Sequence, residues 1–373
     1  MKYRKFGSLD FEVSALGFGA MRMPTDDEGN IKEQEAIDMI RYSVDNGVNY
    51  IDTAWPYHDK KSEPLVAKAL KDGYRDKVKV ATKLPSWEIE EYEDMDKYLD
   101  KQLEKLEIDS IDFYLLHALN QDSWDEYKEV DVFKWMEKVK KEGKVKHIGF
   151  SFHGSYEAFE NIIDDYDGWD FCQIQYNYLD TEFQAGKKGL KYATDRDIAV
   201  VIMEPLRGGQ LAEDPPEEAV EKIKEAGVDR TPADLALQWL WNQEEVGTVL
   251  SGMSNMQQVK ENVASAANSG VDKLSSKELD LIDDIAEIFR GPIQCTQCNY
   301  CMPCPTGVNI PRNFSLYNHA HVHRDFEDMK ERYQKLDDKE KASACIRCGQ
   351  CEPSCPQNLD IMDLLEKVSA YFA

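Results

Sequence analysis

The sequence lacks the long apolar runs and the positive charge that several classes of protein require. No stretch approaches the roughly 18 apolar residues of a membrane-spanning helix. The chain holds 45 Lys and Arg against 71 Asp and Glu, a net charge of −26. Nucleic acids and anionic membrane surfaces bind basic faces, so we expect neither as a partner. The first residues are basic but have no apolar stretch behind them, so we expect no export signal and a cytoplasmic protein.

Cysteine is nearly absent from most of the chain. Cys172 stands alone, whereas the other eight of the nine cysteines fall between residues 295 and 355. A disulfide scaffold is not expected in a protein that is not exported, so metal ligation explains the eight better. Residues 290–373 carry ten Lys or Arg and eleven Asp or Glu, a net of −1, which leaves −25 for residues 1–289. We therefore predict two domains, residues 1–289 and residues 290–373.

Short apolar segments alternate with longer amphipathic ones throughout the first of these domains. Strands are predicted at residues 15–21, 50–54, 78–83, 111–117, 145–151, 171–176, 199–203 and 247–252. Helical patterns such as 33–46, 94–106, 132–142 and 232–241 lie between them. This alternation predicts an α/β protein with a closed (β/α)8 TIM barrel, and the lack of G-x-G-x-x-G after the first strand disfavours an open doubly wound sheet. Residues 6–13 are predicted to form a hairpin that closes the bottom of the barrel.

Four ionisable residues stand at or just beyond the ends of three consecutive predicted strands, where barrels carry their chemistry. Asp52 ends the second strand and precedes Tyr57, Lys83 ends the third strand, and His117 ends the fourth. An ammonium stabilises a nearby phenolate, a carboxylate holds the ammonium in place, and an imidazole can orient a carbonyl. Such a set can deliver a proton to a developing alkoxide while a hydride arrives from a cofactor. Each residue alone is better explained by a structural ion pair, but the four together favour a catalytic site.

The motifs around these residues resemble those of the aldo-keto reductases over residues 1–285. The matching segments are Asp52-Thr53-Ala54-Trp55-Pro56-Tyr57, Ala81-Thr82-Lys83, Leu115-Leu116-His117, Ile148-Gly149-Phe150-Ser151, Gln173-Ile174-Gln175-Tyr176-Asn177, Glu204-Pro205-Leu206-Arg207-Gly208-Gly209 and Ser251-Gly252-Met253-Ser254-Asn255 with Glu261-Asn262. The resemblance implies a (β/α)8 barrel, a nicotinamide cofactor extended across its rim, and a small carbonyl or alcohol substrate. It also implies that Tyr57 is the general acid, with Asp52, Lys83 and His117 as its partners.

The same resemblance implies a set of cofactor-binding residues. Ser151 and Gln173 would hold the carboxamide, with Met203 where the family commonly stacks an aromatic residue on the nicotinamide. The remaining contacts would be Leu206, Arg207, Gly208 and Gly209 along the pyrophosphate, and Ser254, Asn255, Gln258, Glu261 and Asn262 near the adenosine. Gln258 stands where an arginine that binds the 2′-phosphate is often found, and residues 252–262 supply only Lys260 as a cation. Because a phosphate requires close cationic partners, we favour NADH over NADPH.

The clustered cysteines form two runs, each closed by Cys-Pro. The runs are Cys295, Cys298, Cys301 and Cys304, then Cys345, Cys348, Cys351 and Cys355. The second run matches the bacterial ferredoxin spacing, whereas the first is one residue short before its last cysteine, and in two-cluster ferredoxins that last cysteine ligates the other cluster. We therefore predict two [4Fe–4S] clusters, with Cys304 and Cys355 exchanged between the runs. Thiolate zinc sites are the alternative. The helical pattern of residues 311–344 resembles mainly α-helical, ferredoxin-like dicluster modules.

The sequence is compatible with three functions. The first is an aldo-keto-reductase-like oxidoreductase coupled to electron transfer through the clusters, with a redox protein as a further partner. The second is an electron carrier or sensor with the barrel as a docking platform, and the third is a carbonyl reductase whose clusters are structural. Clusters move single electrons, so a coupled enzyme needs either both clusters or a flavin, for which the sequence holds no fingerprint. Trp87 and Trp124 follow the third and fourth strands and are expected to line the substrate pocket.

Overall fold

The computed structural model describes residues 1–212, 215–297 and 299–373. It divides into two compact units, Met1–Pro205 with Leu237–Leu274, and Leu206–Ala236 with Ser275–Ala373. The boundaries of these units do not test the division that we expect at residue 289, which stays a prediction.

Within the described residues, eight parallel strands close into a barrel in the order β3 to β10, with β10 paired to β3. The strands are β1 Tyr3–Phe6, β2 Leu9–Ser14, β3 Leu16–Gly19, β4 Tyr50–Asp52, β5 Lys79–Leu84, β6 Ile111–Leu119, β7 Val145–Phe152, β8 Phe171–Gln175, β9 Ala199–Met203 and β10 Thr248–Ser251. Each barrel strand overlaps one of the predicted strands. The prediction of a (β/α)8 barrel is therefore confirmed.

The helices follow the amphipathic segments of the sequence. They are α1 Glu33–Asp45, α2 Ser62–Ala69, α3 Tyr92–Leu106, α4 Gln121–Glu129, α5 Val132–Lys141, α6 Tyr156–Asp164, α7 Gly186–Thr194, α8 Glu217–Glu225, α9 Pro232–Trp241, α10 Met256–Ala267, α11 Ser276–Phe289, α12 Ile310–Val322, α13 Phe326–Gln334 and α14 Ile361–Phe372. Helix α5 illustrates why amphipathic segments form helices. It buries Val132, Trp135, Met136 and Val139, whose spacing places them on a single helical face. None of the helices in the described parts of the chain is long and apolar enough to cross a membrane.

An antiparallel hairpin of β1 and β2 closes the bottom of the barrel, as the sequence predicts. Phe6 is fully buried there and packs in one cluster with residues at the amino-terminal ends of the barrel strands, among them Tyr50 and Phe171. Its ring centroid lies 5.4 Å from that of Phe113. The predicted catalytic residues stand at the opposite end of the barrel, where the strands finish.

The side chain of Arg4 fixes the hairpin to the segment between α9 and β10. Its guanidinium donates to the carbonyl of Val246 at 2.7 Å and to that of Trp241 at 3.0 Å, and it also bonds the carbonyl of Gln243. Trp241 is the last residue of α9, where backbone carbonyls have no partner within the helix, and Gln243 and Val246 follow it. One arginine thus donates hydrogen bonds to the backbone carbonyls of a segment that lies far away in sequence.

The second unit is mainly α-helical in its carboxyl-terminal part, as predicted. Helices α12, α13 and α14 enclose an apolar core that includes Phe314, Met329 and Val368. Six half-buried cysteines pack against this core, namely Cys295, Cys301, Cys304, Cys345, Cys351 and Cys355, whereas Cys348 is exposed. The helices therefore serve as a frame for the two cysteine runs.

Candidate functional site

Lys83 and Asp52 form a buried ion pair at the carboxyl ends of β5 and β4. Lys83 Nζ lies 2.6 Å from Asp52 Oδ1 and donates a second hydrogen bond to the Thr53 carbonyl at 2.9 Å. The two side chains are 1% and 3% exposed. Burial raises the pKa of Asp52 and lowers the pKa of Lys83, while the charge of each partner opposes the shift of the other. The short contact and the second acceptor fix the position of the ammonium.

Tyr57 and His117 lie beside this pair. Lys83 Nζ is 5.1 Å from the centroid of the Tyr57 ring, and the centroid of the His117 ring is 6.2 Å from that of Tyr57. Burial lowers the pKa of His117 well below its ordinary value, and the charges of Lys83 and His153 lower it further. The imidazole is therefore neutral at pH 7. The structure thus brings together the four residues of the predicted catalytic set, whose roles stay a prediction.

The turn that carries Tyr57 has an uncommon backbone. His58, Asp59 and Lys60 have φ angles of 50°, 53° and 67°, the left-handed region that L-residues adopt singly rather than in runs. His58 Nε2 accepts a hydrogen bond from the Met23 backbone N–H at 3.2 Å. Burial lowers the pKa of His58, which keeps the accepting nitrogen unprotonated. The imidazole therefore joins the turn after β4 to the segment after β3.

Ser151 and Gln173 lie side by side on β7 and β8, as paired residues of the sheet. Among the described residues, Gln173 Oε1 has no hydrogen-bond partner, although the residue is only 3% exposed. Ser151 Oγ accepts a bond from the Ala118 N–H at 2.7 Å, which leaves its hydroxyl proton to donate. An unpaired buried acceptor is costly, so a ligand that supplies an N–H is favoured here. A carboxamide, which both donates and accepts, fits the two side chains.

Met203 ends β9, opposite Gln175 in the register, and is half-buried. It is thus at the same end of the barrel as Gln173. The next predicted contacts, Leu206, Arg207, Gly208 and Gly209, begin the second compact unit. Arg207, Gly208 and Gly209 have φ angles of 48°, 67° and 100°, so glycine suits two of the three positions. Their place along a pyrophosphate stays a prediction.

The residues predicted to lie near the adenosine are gathered around the start of α10. Asn255 Oδ1 caps this helix by accepting from the Gln258 N–H at 3.0 Å, and Gln258 Oε1 in turn accepts from the Ser254 N–H at 2.8 Å. Glu261 Oε1 accepts from the side chain of Gln257 at 2.9 Å. The side chain of Asn262 donates to Ser251 Oγ at 3.0 Å. These side chains therefore order the end of β10 and the first turns of α10.

Two rim residues were not found from the sequence. The side-chain stem of Arg22 lies against Gly252, where a Cβ would stand 3.2 Å from it, so a cation that precedes α1 reaches the segment after β10. His153 follows β7, and its Nδ1 lies 3.2 Å from Gln184 Oε1. Burial lowers the pKa of His153 to about 4. The position of His153 two residues after Ser151 was the available signal, whereas Arg22 had none.

The two tryptophans expected at the substrate pocket differ in position. Trp87 is 50% exposed, and its ring centroid lies 5.1 Å from that of His117. Trp124 is fully buried and donates from Nε1 to Asp165 at 2.8 Å. The prediction for Trp124 is wrong, because this residue belongs to the inward face of α4 rather than to a loop.

The cysteines border two cavities in the second unit, and Cys298 lies outside the described residues. The larger cavity, about 140 Å³, is lined by Cys301, Cys304, Cys345, Cys348 and Cys351. The smaller, about 20 Å³, is lined by Cys295, Cys301 and Cys355. Cys304 therefore faces the second run, and Cys355 faces the first. None of the described cysteines forms a disulfide.

Hydrogen-bond donors surround several of these sulfurs. Cys304 Sγ lies 3.4 Å from Thr306 Oγ1. Burial raises the pKa of the Cys304 thiol, but bonds from Thr306 and from the backbone N–H groups of Val308 and Gly307 outweigh it and lower the pKa. Cys345 Sγ accepts from the Arg347 N–H at 3.4 Å. Donors of this kind stabilise thiolates, which are the form that binds iron.

Comparisons with known proteins agree with this arrangement. The Aldo/keto reductase family model matches residues 15–287, and the model of the 4Fe-4S dicluster domain matches residues 294–360. An uncharacterised oxidoreductase of Bacillus subtilis is 26% identical over 299 residues, which cover 71% of this chain and 91% of the relative. The L-galactose dehydrogenase of Arabidopsis thaliana is 28% identical over 306 residues, which cover 76% and 94%.

A solved structure shows the same fold. The holo form of an aldo-keto reductase from Bacillus halodurans has a TM-score of 0.62 and 28% identity, and the match covers 76% of this chain and 96% of that one. The family match extends over most of the chain and includes the barrel with its four rim residues. The chain therefore belongs to the aldo/keto reductase family and is an oxidoreductase whose barrel is followed by a 4Fe-4S dicluster domain.

Proposed function

We propose that this protein interconverts a small carbonyl compound and its alcohol, with NAD(P)H as hydride donor and Tyr57 as general acid. The observation that carries the proposal is the buried Lys83–Asp52 pair, with Lys83 Nζ 5.1 Å from the centroid of the Tyr57 ring. An ammonium in a water-poor site stabilises the phenolate that remains after Tyr57 has given up its proton. A platform for docking needs no such arrangement.

The chain's own residues account for the proton that the reaction consumes. Reduction adds one hydride to the carbonyl carbon and one proton to its oxygen, and a bound reduced nicotinamide supplies the hydride. Tyr57 donates the proton, the Lys83 ammonium stabilises the resulting phenolate, and neutral His117 orients the carbonyl oxygen. Asp52 keeps Lys83 charged. In the direction of alcohol oxidation, the phenolate takes the proton back.

The replacement Tyr57→Phe tests the general acid. We expect kcat for small aldehydes with NADH to fall by about 10²- to 10⁴-fold, the usual contribution of a positioned acid. Cofactor affinity, followed by fluorescence titration, should remain within a factor of two or so, because the phenol is not expected to anchor the nicotinamide. Tyr74→Phe is the matched control, because this half-buried tyrosine precedes β5 and its hydroxyl donates to Asp45 rather than to a residue of the proposed site. If Tyr57→Phe retains its kcat, the assignment of the acid is wrong.

We propose that the coenzyme is NADH rather than NADPH. Gln258, in the place often held by a phosphate-binding arginine, is bonded to Ser254, and Lys260 Nζ lies 5.9 Å from the Tyr42 ring centroid. Neither supplies the bidentate cation that a 2′-phosphate prefers. The wild type should therefore have a lower KM for NADH, and Gln258→Arg should lower the KM for NADPH. A wild-type KM that is lower for NADPH would contradict this choice.

We also propose that residues 290–373 form a domain with two [4Fe–4S] clusters. One cluster would be ligated by Cys295, Cys298, Cys301 and Cys355, and the other by Cys304, Cys345, Cys348 and Cys351. The division of the described cysteines between the two cavities supports this assignment. Because exposed thiolates that hold iron persist in reducing compartments, we propose a cytoplasmic location.

Iron and acid-labile sulfide, measured in protein purified without oxygen, test the cluster content. Two cubanes require about eight of each per chain. About four of each would leave one cluster and contradict the proposal of two. Zinc without sulfide would overturn the iron–sulfur proposal altogether.

We propose further that the clusters exchange electrons with the barrel's substrate or coenzyme. A hydride carries two electrons, so two one-electron clusters together match one turnover. Adding NADH in the absence of oxygen should then bleach the visible absorption of the clusters. Whether a flavin takes part is tested separately, because denaturation would release a bound flavin as a fluorescent compound. Unchanged absorption would leave a carbonyl reductase with structural clusters.

A further inference from the structure

We propose that the surface around Cys348 is the docking site for a one-electron carrier protein, and that the cluster bordered by Cys304, Cys345, Cys348 and Cys351 exchanges electrons there. The inference rests on the proposed presence of both clusters. Cys348 is an exposed ligand candidate. Ile346, which lies between Cys345 and Cys348, is 68% exposed, the highest value among the large apolar residues of the described segments. An apolar side chain beside an exposed cluster edge is a contact surface for a partner.

The two cavities differ in their access to solvent. Ile346, Cys348 and Gln350 line the larger cavity and are all exposed. Phe314 and Ile361, buried in the helical core, line only the smaller cavity, whose exposed lining residue among those described is Asn299. None of its cysteines within the described residues is exposed. Three exposed residues on the lining of the larger cavity, one of them a proposed ligand, thus give a protein in solution a direct approach to its cluster.

Hydrogen bonds reach sulfurs of both runs, since Cys295 Sγ accepts from the Gln297 N–H at 3.4 Å. Cys304 and Cys345 both border the larger cavity and accept bonds from N–H or O–H donors. The exposure of Cys348 sets the two clusters apart, because solvent stabilises the reduced, more negative cluster and so raises its reduction potential. The exposed cluster should therefore be the first to be reduced. An electron that enters the domain then reduces the cluster of the larger cavity, from which a carrier can accept it.

The charges around this surface indicate the chemistry of the carrier. Arg347 binds Asp363 at 2.5 Å and Glu366 at 3.0 Å, so this trio carries a net charge of −1 beside Ile346. The whole chain carries −26. Attraction over long range therefore favours a carrier with a basic rim around an apolar contact. One electron passes per encounter: the cluster is oxidised by one electron as the carrier is reduced by one.

Replacing Ile346 tests the surface, with basic cytochrome c as the probe. Ile346→Lys adds like charge and removes apolar contact, and Ile346→Ser removes apolar contact alone. Each variant is reduced with dithionite, freed of excess reductant and mixed with cytochrome c at low salt. The second-order rate constant should fall about 10-fold for Ile346→Lys and about 3-fold for Ile346→Ser. Methyl viologen, which needs no docking surface, should react equally with all variants.

Val220→Lys and Val271→Lys are the matched controls, because these valines are 42% and 43% exposed elsewhere on the chain. Their rate constants with cytochrome c should stay within about 2-fold of wild type. An equal loss in all three lysine variants would show that only overall charge matters and would overturn the docking site. Iron and sulfide contents separate this failure from a failure of the cluster proposal, since a protein without clusters would show neither.

Electron paramagnetic resonance gives a test that does not depend on turnover. In partly reduced protein, a soluble dysprosium chelate should speed the relaxation of one cluster signal more than that of the other. The signal affected should be the one that Cys345→Ser alters, and it should appear first during reduction. If the chelate acts on the signal altered by Cys295→Ser, the partner surface has been assigned to the wrong cluster.

Discussion

The buried pair of Lys83 and Asp52 links the chemistry of the rim to the stability of the barrel. Lys83→Met leaves a carboxylate that is 3% exposed without its cation, so we expect a loss of about 3–5 kcal/mol in the free energy of unfolding. The double replacement with Asp52→Leu removes both charges and should recover part of that loss. Urea unfolding followed by tryptophan fluorescence measures it, because all seven tryptophans lie in residues 1–289. A double variant no more stable than Lys83→Met would contradict the expectation.

His153 predicts a dependence of stability on pH. Its pKa is about 4 in the folded protein and about 6.5 when unfolded, so the unfolded state binds the proton first as the pH falls. The neutral imidazole contributes about 3 kcal/mol to the free energy of unfolding. This contribution is complete above about pH 6.5 and is lost as the pH falls from there to about 4. Below pH 4 no further loss is expected from this residue.

The replacement His153→Asn measures this contribution. The urea midpoint of the wild type, read from tryptophan fluorescence, should fall more between pH 7 and pH 4.5 than that of the variant. His323→Asn, in the carboxyl-terminal helices, is the control and should follow the wild type. Parallel curves for wild type and His153→Asn would show that another group governs acid unfolding.

For individual residues, the sequence predicts the contacts that follow from the order of the strands. It does not predict contacts that single side chains make elsewhere. Asp52 and Lys83 meet because the ends of neighbouring parallel strands meet at one rim. The bond between His58 and the backbone of Met23 leaves no pattern in the sequence. Arg22 reaches Gly252 only after the barrel has closed, so no local rule could place it there.

Among the elements, the turn after β4 governs the position of the general acid. His58 holds this turn to the segment after β3 through an unprotonated nitrogen, which accepts from the Met23 N–H. Protonation below the lowered pKa of His58 removes the acceptor, so activity should fall on the acid side of the pH profile. In His58→Gln the amide oxygen accepts at every pH, and this acidic limb should disappear.

The pH profile of kcat for wild type, His58→Gln and His58→Ala tests this coupling. His58→Ala should lose activity at all pH values, by about 10-fold, because Tyr57 is no longer held in position. Rescue of kcat by glutamine but not by alanine separates positioning from bulk stability. Identical acidic limbs in all three proteins would show that His58 does not control Tyr57.

The element order was the most predictable feature of the molecule. Each barrel strand is a short apolar run bounded by polar residues. Such runs are typical of parallel strands that are buried on both faces. Trp124 was misplaced because α4 was not recognised as a helix. Its nine residues are strongly polar, and only Trp124 and Tyr127 are buried, so the amphipathic signal is weak.

For the whole molecule, the exchange of Cys304 and Cys355 between the two cavities predicts which cluster each cysteine affects. Cys304→Ser and Cys345→Ser should shift the same cluster signal in electron paramagnetic resonance. Cys355→Ser and Cys295→Ser should shift the other signal. Clusters ligated within each run would instead pair Cys304 with Cys295, which the cavities do not favour.

The bonds of Arg4 set an order of events during synthesis. Arg4 leaves the ribosome 242 residues before Val246, one of its carbonyl acceptors. At about 5–20 residues per second, the hairpin waits roughly 10 to 50 s for that partner. During this interval Phe6 is without the finished barrel that buries it, so the hairpin is a stretch that a chaperone would meet on nascent chains. The end of the barrel that carries no chemistry is thus the end that dictates when the fold can be completed.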